Sequence, residues 1–212
     1  MHLNQTSVKP LGVDKRNKIL YRRVSLLYDF GRIYDLSKEC FDIGYTMTSF
    51  WQYVGYWPHL CLVATTFKGE IIGFLLGGAQ INYGQPKIGV VNMLAVKEPY
   101  RNQGVGQKLM QLILHIMSAE FCVAVRLDTA EMNFAAQNVY ERFGYFKEKL
   151  NNNFYSSREN GYSMILPLRA NTKPLCDRIR EEREQYDKDY PDIISYYSSS
   201  VADLLADGIK SN

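Results

Sequence analysis

The chain has 212 residues, enough to bury a sizeable core as one domain or as one domain with a tail. With 46% hydrophobic and 22% charged residues it is neither collagen-like, coiled-coil nor wholly disordered, and a net charge of +3 is too weak to argue for nucleic acid. Tyrosine is the outlier at 16 residues, a side chain suited to places where an apolar face meets a polar task.

Residues 1–17 read as an N-terminal extension. The first twenty residues mix Asn, Gln, Lys, Arg and Pro without the apolar run of a secretory signal. No later stretch approaches the ~18 consecutive apolar residues of a membrane span, so a cytoplasmic address away from membranes is the expectation. Cys40, Cys61, Cys122 and Cys176 form no CxxC pair and the three histidines no HExxH spacing, so reduced thiols and no metal are expected.

From residue 18 to 168, apolar runs of strand length alternate with segments of helical period, the pattern of an α/β domain. Strands are predicted at 19–27, 60–67, 70–79, 88–96, 122–128, 145–155 and 162–166. Phe67-Lys68-Gly69-Glu70 and Asn82-Tyr83-Gly84-Gln85-Pro86 supply the turns of an antiparallel meander. Helices are predicted at 30–41 and 47–56. A third is marked by the stripe Val105, Leu109, Leu112, Ile113, Ile116 and Met117. Another is marked by Ala136, Val139, Tyr140 and Phe143, with Asn133 as its cap and Gly144 as its left-handed end. Residues 169–212 carry seven basic against nine acidic residues, a balance of −2, and the rest carries +5. Their i, i+4 charge pairs without an apolar stripe describe a charged helical or flexible tail.

The most informative stretch is 90–109, where a strand runs into a Pro99 turn and then Arg101-Asn102-Gln103-Gly104-Val105-Gly106-Gln107 opens a helix. Backbone N–H groups at a positive helix terminus form a cradle for phosphate, and Gly104 and Gly106 let the ligand approach without meeting a Cβ. The loop lacks the Walker Lys-Ser/Thr and the third glycine of a dinucleotide fingerprint. In 126–145 a strand delivers Asp128, Asn133 starts a helix, Tyr140 follows two turns on, and Phe143-Gly144-Tyr145 leads into the next strand.

Together these two stretches resemble the paired signatures of the GNAT acetyltransferases, whose ligand is acetyl-CoA. The resemblance implies a GNAT fold of the α/β (α+β) type, with a mixed central sheet of about seven strands flanked by about four helices. It places acetyl-CoA on Leu94, Ala95, Val96, the 101–107 loop, Asn133 and Tyr140. An amine must lose a proton before it attacks the thioester, which makes Asp128 the candidate base and Glu131, in the same loop, its rival. A Tyr140 hydroxyl is the candidate acid for the departing thiolate, and the backbone around Leu94 can donate to the oxyanion. Neither signature holds a Cys or Ser, which argues for direct transfer without a covalent intermediate.

Residues 50–61 with their Trp57-Pro58 step, Met93-Leu94-Ala95-Val96, Asp128-Thr129 and the ending Ile165-Leu166-Pro167-Leu168 resemble the catalytic subunits of the NatC type of N-terminal acetyltransferase. That resemblance implies protein N-termini or nascent peptides as acceptors, Met followed by an apolar residue as the preference, and auxiliary subunits and the ribosome as partners. It places Tyr45, Met93, Phe154 and Tyr155 against the peptide. The chain departs from that type at Ile43-Gly44, where the family has Glu-Pro, at Ala130, which replaces a Glu, and at Asp128 itself, one methylene shorter than the family's Glu. The alternatives are a NatB-like or other GNAT enzyme with a different acceptor, a non-catalytic acyl-CoA-binding module, and a subunit whose tail serves assembly.

Overall fold

The computed structural model describes residues 10–41, 45–154 and 159–168 of the chain. They divide at Cys122 and Val123 into two units.

The first unit begins with β1 (Gly12–Asp14) and β2 (Ile19–Arg23), then α1 (Leu26–Cys40) and α2 (Met47–Tyr56). A short 3-10 turn, Pro58–Leu60, leads into β3 (Cys61–Thr66), β4 (Ile71–Gln80) and β5 (Ile88–Val96). A second 3-10 turn, Glu98–Tyr100, precedes α3 (Val105–Ala119). The five strands lie in the order β1-β2-β3-β4-β5, each antiparallel to its neighbour. The meander read from the turn residues is present, extended by β1, which lies in the stretch read as an extension.

β2 ends at Arg23, four residues short of its predicted end, for an electrostatic reason. The Asp29 carboxylate, fully buried, reaches back to accept from the backbone N–H of Ser25 at 2.7 Å, where α1 is capped. The Arg22 guanidinium donates two bonds to the same carboxylate, at 2.5 and 2.9 Å. A buried carboxylate must be paired, and this one is paired to Arg22 at the end of the strand, so the chain turns into helix instead of continuing extended. α2 starts where expected, with the Thr46 hydroxyl accepting from Ser49 N–H at 3.2 Å.

Packed between α1, α2 and the sheet are Ile33, Leu36, Phe50, Val54, Phe74, Leu76 and Met93, all buried. Phe50 and Phe74 meet edge to face with centroids 6.0 Å apart, and Tyr34 and Tyr45 contact Phe50 in the same way. On α3 the predicted stripe is buried at Val105, Leu109, Ile113, Ile116 and Met117, with Met110 added. Leu112 and the Lys108 stem instead lie beside Gly12 of β1.

The second unit holds β6 (Ala124–Ala130), α4 (Phe134–Arg142), β7 (Phe146–Asn151) and β8 (Gly161–Pro167). Its strands lie in the antiparallel order β6-β8-β7. The Asn133 side chain caps α4, accepting from Ala136 N–H at 3.1 Å. The helix ends in a Schellman motif: Gly144 at φ 92° donates to Glu141 O at 2.9 Å and Tyr145 to Tyr140 O at 3.1 Å.

Asp29→Ala leaves Arg22 without its buried partner and is expected to lower unfolding free energy by about 3–5 kcal/mol. Replacing both residues by apolar ones, Asp29→Leu with Arg22→Met, is expected to recover much of that. Denaturant midpoints check both, and an unchanged midpoint in Asp29→Ala would remove the pair from the account of where β2 stops.

Candidate active site

Each unit carries part of the predicted machinery. In the first, β5 runs into the Pro99 turn, where Tyr100 donates to Lys97 O at 2.9 Å and Arg101 to Glu98 O at 3.1 Å. The Arg101 Nε then donates to Val96 O at 2.9 Å and the Gln103 amide to Pro99 O at 2.8 Å, so both side chains brace the loop itself. Asn102 and Gly104 adopt left-handed conformations, φ 61° and 81°. A Cβ on Gly104 would meet nothing within 4 Å, so its backbone angle, and no crowding, makes glycine suit this position. α3 opens without a side-chain cap, leaving its first-turn N–H groups directed at the approach to the loop. A Cβ on Gly106 would lie 3.6 Å from Val96 and 4.0 Å from Leu94, so this terminus rests on the end of β5. The result is an uncapped, positive helix end with Arg101 beside it, suited to an anion.

Ala95 and Val105 are buried, so their side chains pack and only their backbones are offered to a ligand; Gln107 is exposed. The Met93 side chain is likewise buried among Phe50 and Phe74. Tyr45 packs on Phe41 and Phe50, and burial pushes its phenol above the usual tyrosine range. Phe154 is exposed, while Tyr155 and Ile43-Gly44 lie outside the described residues.

The strand pairing of β4 and β5 jumps from Leu76↔Met93 to Gly77↔Val91, which makes Asn92 the extra residue of a bulge. This bulge lies two residues before Leu94, whose backbone is the expected oxyanion donor. It borders a cleft of about 290 Å³ whose lining includes Gln52, Tyr53, Trp57, Gly78, Val90 and Asn92. A Cβ on Gly78 would lie 3.2 Å from Trp57 and 3.3 Å from the Asn92 amide, so a glycine forms the floor. Sequence reading drew attention to the Trp57 step but not to Gly78 or Asn92, because only strand pairing brings them together.

In the second unit, Asp128 stands exposed near the end of β6, opposite Ser163. The buried Ser163 hydroxyl donates to Asp128 Oδ1 at 2.5 Å, and the Asn151 amide donates to Ser163 Oγ at 2.9 Å. Glu131, the rival carboxylate, accepts from the Asn160 amide at 2.8 Å, and Asn160 Oδ1 accepts from Asn153 N–H at 3.2 Å. Gln137 is the buried residue of α4, donating to Ala130 O at 2.9 Å and Glu131 O at 2.8 Å. It fixes the strand end that carries both acids. Nothing in the helical stripe pointed to Gln137, since a buried amide looks polar in sequence.

Tyr140, part-buried on α4, lies against Tyr145 with ring centroids 5.9 Å apart. Burial pushes its pKa up to about 12, and pushes Tyr145 higher still, with Tyr140 adding to the effect. Among the described residues the buried Tyr145 hydroxyl has no hydrogen-bond partner. The described thiols are poor nucleophiles: burial raises Cys40, Cys122 and, to about 12, Cys61. Among the described residues no group of three His, Cys, Asp or Glu side chains could hold a metal ion, and no helix is long and apolar enough to cross a membrane.

The acetyltransferase (GNAT) family model matches residues 30–145, more than half of the chain. The chain belongs to that family of acetyltransferases, and it has the GNAT fold with eight strands and four helices where about seven and four were expected. It is similar to N-alpha-acetyltransferase 30 of Saccharomyces cerevisiae, 29% identical over 174 residues, 80% of this chain and 91% of the relative. It is also similar to the N-terminal acetyltransferase complex ARD1 subunit homolog of Dictyostelium discoideum, 30% identical over 154 residues, 70% of this chain and 71% of the relative. Among solved structures it resembles a chain of the NatC complex bound to Gag peptide and CoA, with a TM-score of 0.69 and 26% identity over 72% of this chain and 99% of that one.

Both tyrosines are held neutral by burial, so the unfolded chain releases their protons first as pH rises past ~10 and stability falls from there. Tyr145→Phe removes an unpaired buried hydroxyl and is expected to add ~1 kcal/mol at neutral pH. It is also expected to flatten the alkaline loss. Denaturant melts at neutral and alkaline pH check both, and a destabilised variant would give the hydroxyl a partner.

Proposed function

We propose that the chain is a protein N-terminal acetyltransferase of the NatC kind, moving an acetyl group from acetyl-CoA to the α-amine of a protein or nascent chain. The carrying observation is the kinship with N-alpha-acetyltransferase 30 along 80% of the chain, in which Asp128 on β6 and Tyr140 on α4 supply a carboxylate and a phenol. The pyrophosphate is proposed to sit on the uncapped end of α3 and the 101–107 loop, with the β5 backbone from Leu94 to Val96 along the pantetheine, and Asn133 and Tyr140 are also assigned to the cosubstrate. Tyr45, Phe154, Tyr155 and the backbone of Met93 are assigned to the acceptor peptide, for which Met followed by an apolar residue is the proposed preference. NatC-like auxiliary subunits, the ribosome and a cytoplasmic address complete the reading.

The acceptor ammonium loses a proton to Asp128, through a water because Asp is short, and the free amine attacks the thioester carbonyl. The nitrogen–carbon bond forms, the carbon–sulfur bond breaks, and the sulfur leaves with the electron pair. Tyr140, its pKa raised to about 12, stays protonated at neutral pH and presents its hydroxyl to that sulfur. Full transfer from so weak an acid to a thiolate whose conjugate acid has a pKa near ~8.5 runs uphill. Tyr140 therefore acts mainly as a hydrogen-bond donor while solvent completes the protonation.

Purified protein given acetyl-CoA and a panel of N-terminal peptides is expected to release free thiol with Met-apolar peptides. No release above background would replace the enzyme with an acyl-CoA-binding module. Asp128→Asn is expected to lower kcat by about 10²-fold or more. Tyr140→Phe is expected to lower kcat far more than CoA affinity, and equal effects on both would make Tyr140 structural. By calorimetry, Gly104→Pro is expected to lose CoA binding, and intact binding there would remove the loop from the site.

A further inference from the structure

We infer that Ser163 and Asn151 are positioning residues that hold the Asp128 carboxylate in its working orientation, an inference that rests on Asp128 being the base. The three side chains come from three neighbouring strands, β6, β8 and β7, and form one hydrogen-bonded chain. Its direction follows from donor count. The Asn151 amide nitrogen only donates, so it occupies a lone pair of Ser163 Oγ, and the single hydroxyl proton is left for Asp128 Oδ1. Ser163 is 3% exposed, so its hydroxyl does not turn to solvent for another partner.

Asp128 is exposed at a strand end, where the two torsions of an aspartate admit several orientations, and the bond from Ser163 selects among them. Pinning Oδ1 to β8 fixes the plane of the carboxylate, and with it the direction in which the other oxygen meets the acceptor's proton. The group that does this is a neutral hydroxyl. The Asn151 amide lies at the end of β7, three residues before Phe154, so the chain of bonds runs from the base to the segment assigned to the peptide.

The test uses the full chain with acetyl-CoA and the best peptide of the panel. Ser163→Ala and Asn151→Ala are each expected to lower kcat about tenfold while KM for acetyl-CoA stays within about twofold. Ser163→Thr, which keeps the hydroxyl, is expected to recover most of the loss. Adding Ser163→Ala to Asp128→Asn is expected to cost nothing more, because the hydroxyl acts through the carboxylate. Wild-type kcat in both alanine variants, with Asp128→Asn inactive, overturns the inference and leaves the base assignment standing. Wild-type kcat in Asp128→Asn overturns the base assignment and the inference together. Should Ser163→Ala fail to fold, Asn151→Ala decides, since it removes a part-exposed donor and leaves the buried hydroxyl in place.

Discussion

Strand β4 is buried at every position from 71 to 78, with helices on both of its faces. A strand so covered gives up polar alternation, and its small residues mark where a neighbour presses closest. Phe74 and Leu76 join the aromatic core under α1 and α2, whereas a Cβ on Gly77 would lie 2.7 Å from Leu60 O and 3.1 Å from Met117 of α3. Changing from large to small side chains along one strand goes with the bulge in its partner β5 at Asn92. Met93 thereby turns into the core and Asn92 comes out beside Trp57 and Gly78. Two residues further on, Leu94 and Val96 support the first turn of α3. One strand thus has the amide-bordered cleft near its beginning and the anion-suited helix end near its finish, and both follow from the need to cover β4 twice.

The second unit solves a different problem, since β6 must bring acids to the surface without losing its place in a sheet. Arg126, two residues before Asp128 and so on the same face, is buried and bonded to Glu148 through Nε at 3.0 Å and a second nitrogen at 3.2 Å. Burying two charges costs several kcal/mol per ion in effective desolvation, offset only by good geometry, and the two-point contact provides it. Glu148 thereby anchors the guanidinium nearest to Asp128 along the strand. Asp128 meets the Ser163 hydroxyl at the next rung.

Most of the architecture could be read from the chain because it rests on local chemistry. α2, α4 and β5 start or stop where their caps and turns say they should, and Gly104 and Gly144 adopt the left-handed angles that their contexts require. What escaped the sequence depends on register. β1 has too few residues to show a period, and it is defined by its antiparallel pairing with β2. β2 reads as apolar through residue 27, yet Asp29, farther along the chain, turns it. Ser163, Asn151 and Gln137 look like ordinary polar residues until pairing places them against Asp128 and its strand end. Met93 shows the converse case, where a residue beside the site in sequence turns its side chain into the core.

The two carboxylates of the strand-end loop therefore differ in kind, although composition makes them rivals. Glu131 is held by Asn160, which also accepts from the backbone of Asn153, so its bond closes the connection between β7 and β8. Its own backbone N–H donates to Asn160 O at 2.9 Å, a second tie to the same residue. Moving Glu131 to take a proton would loosen that connection. Asp128 is held from within the sheet, by a buried hydroxyl whose position is set by two strand registers, so proton transfer at its carboxylate need not disturb the loop. The shorter side chain has the more rigid support, which favours it for an exchange that depends on direction more than on reach.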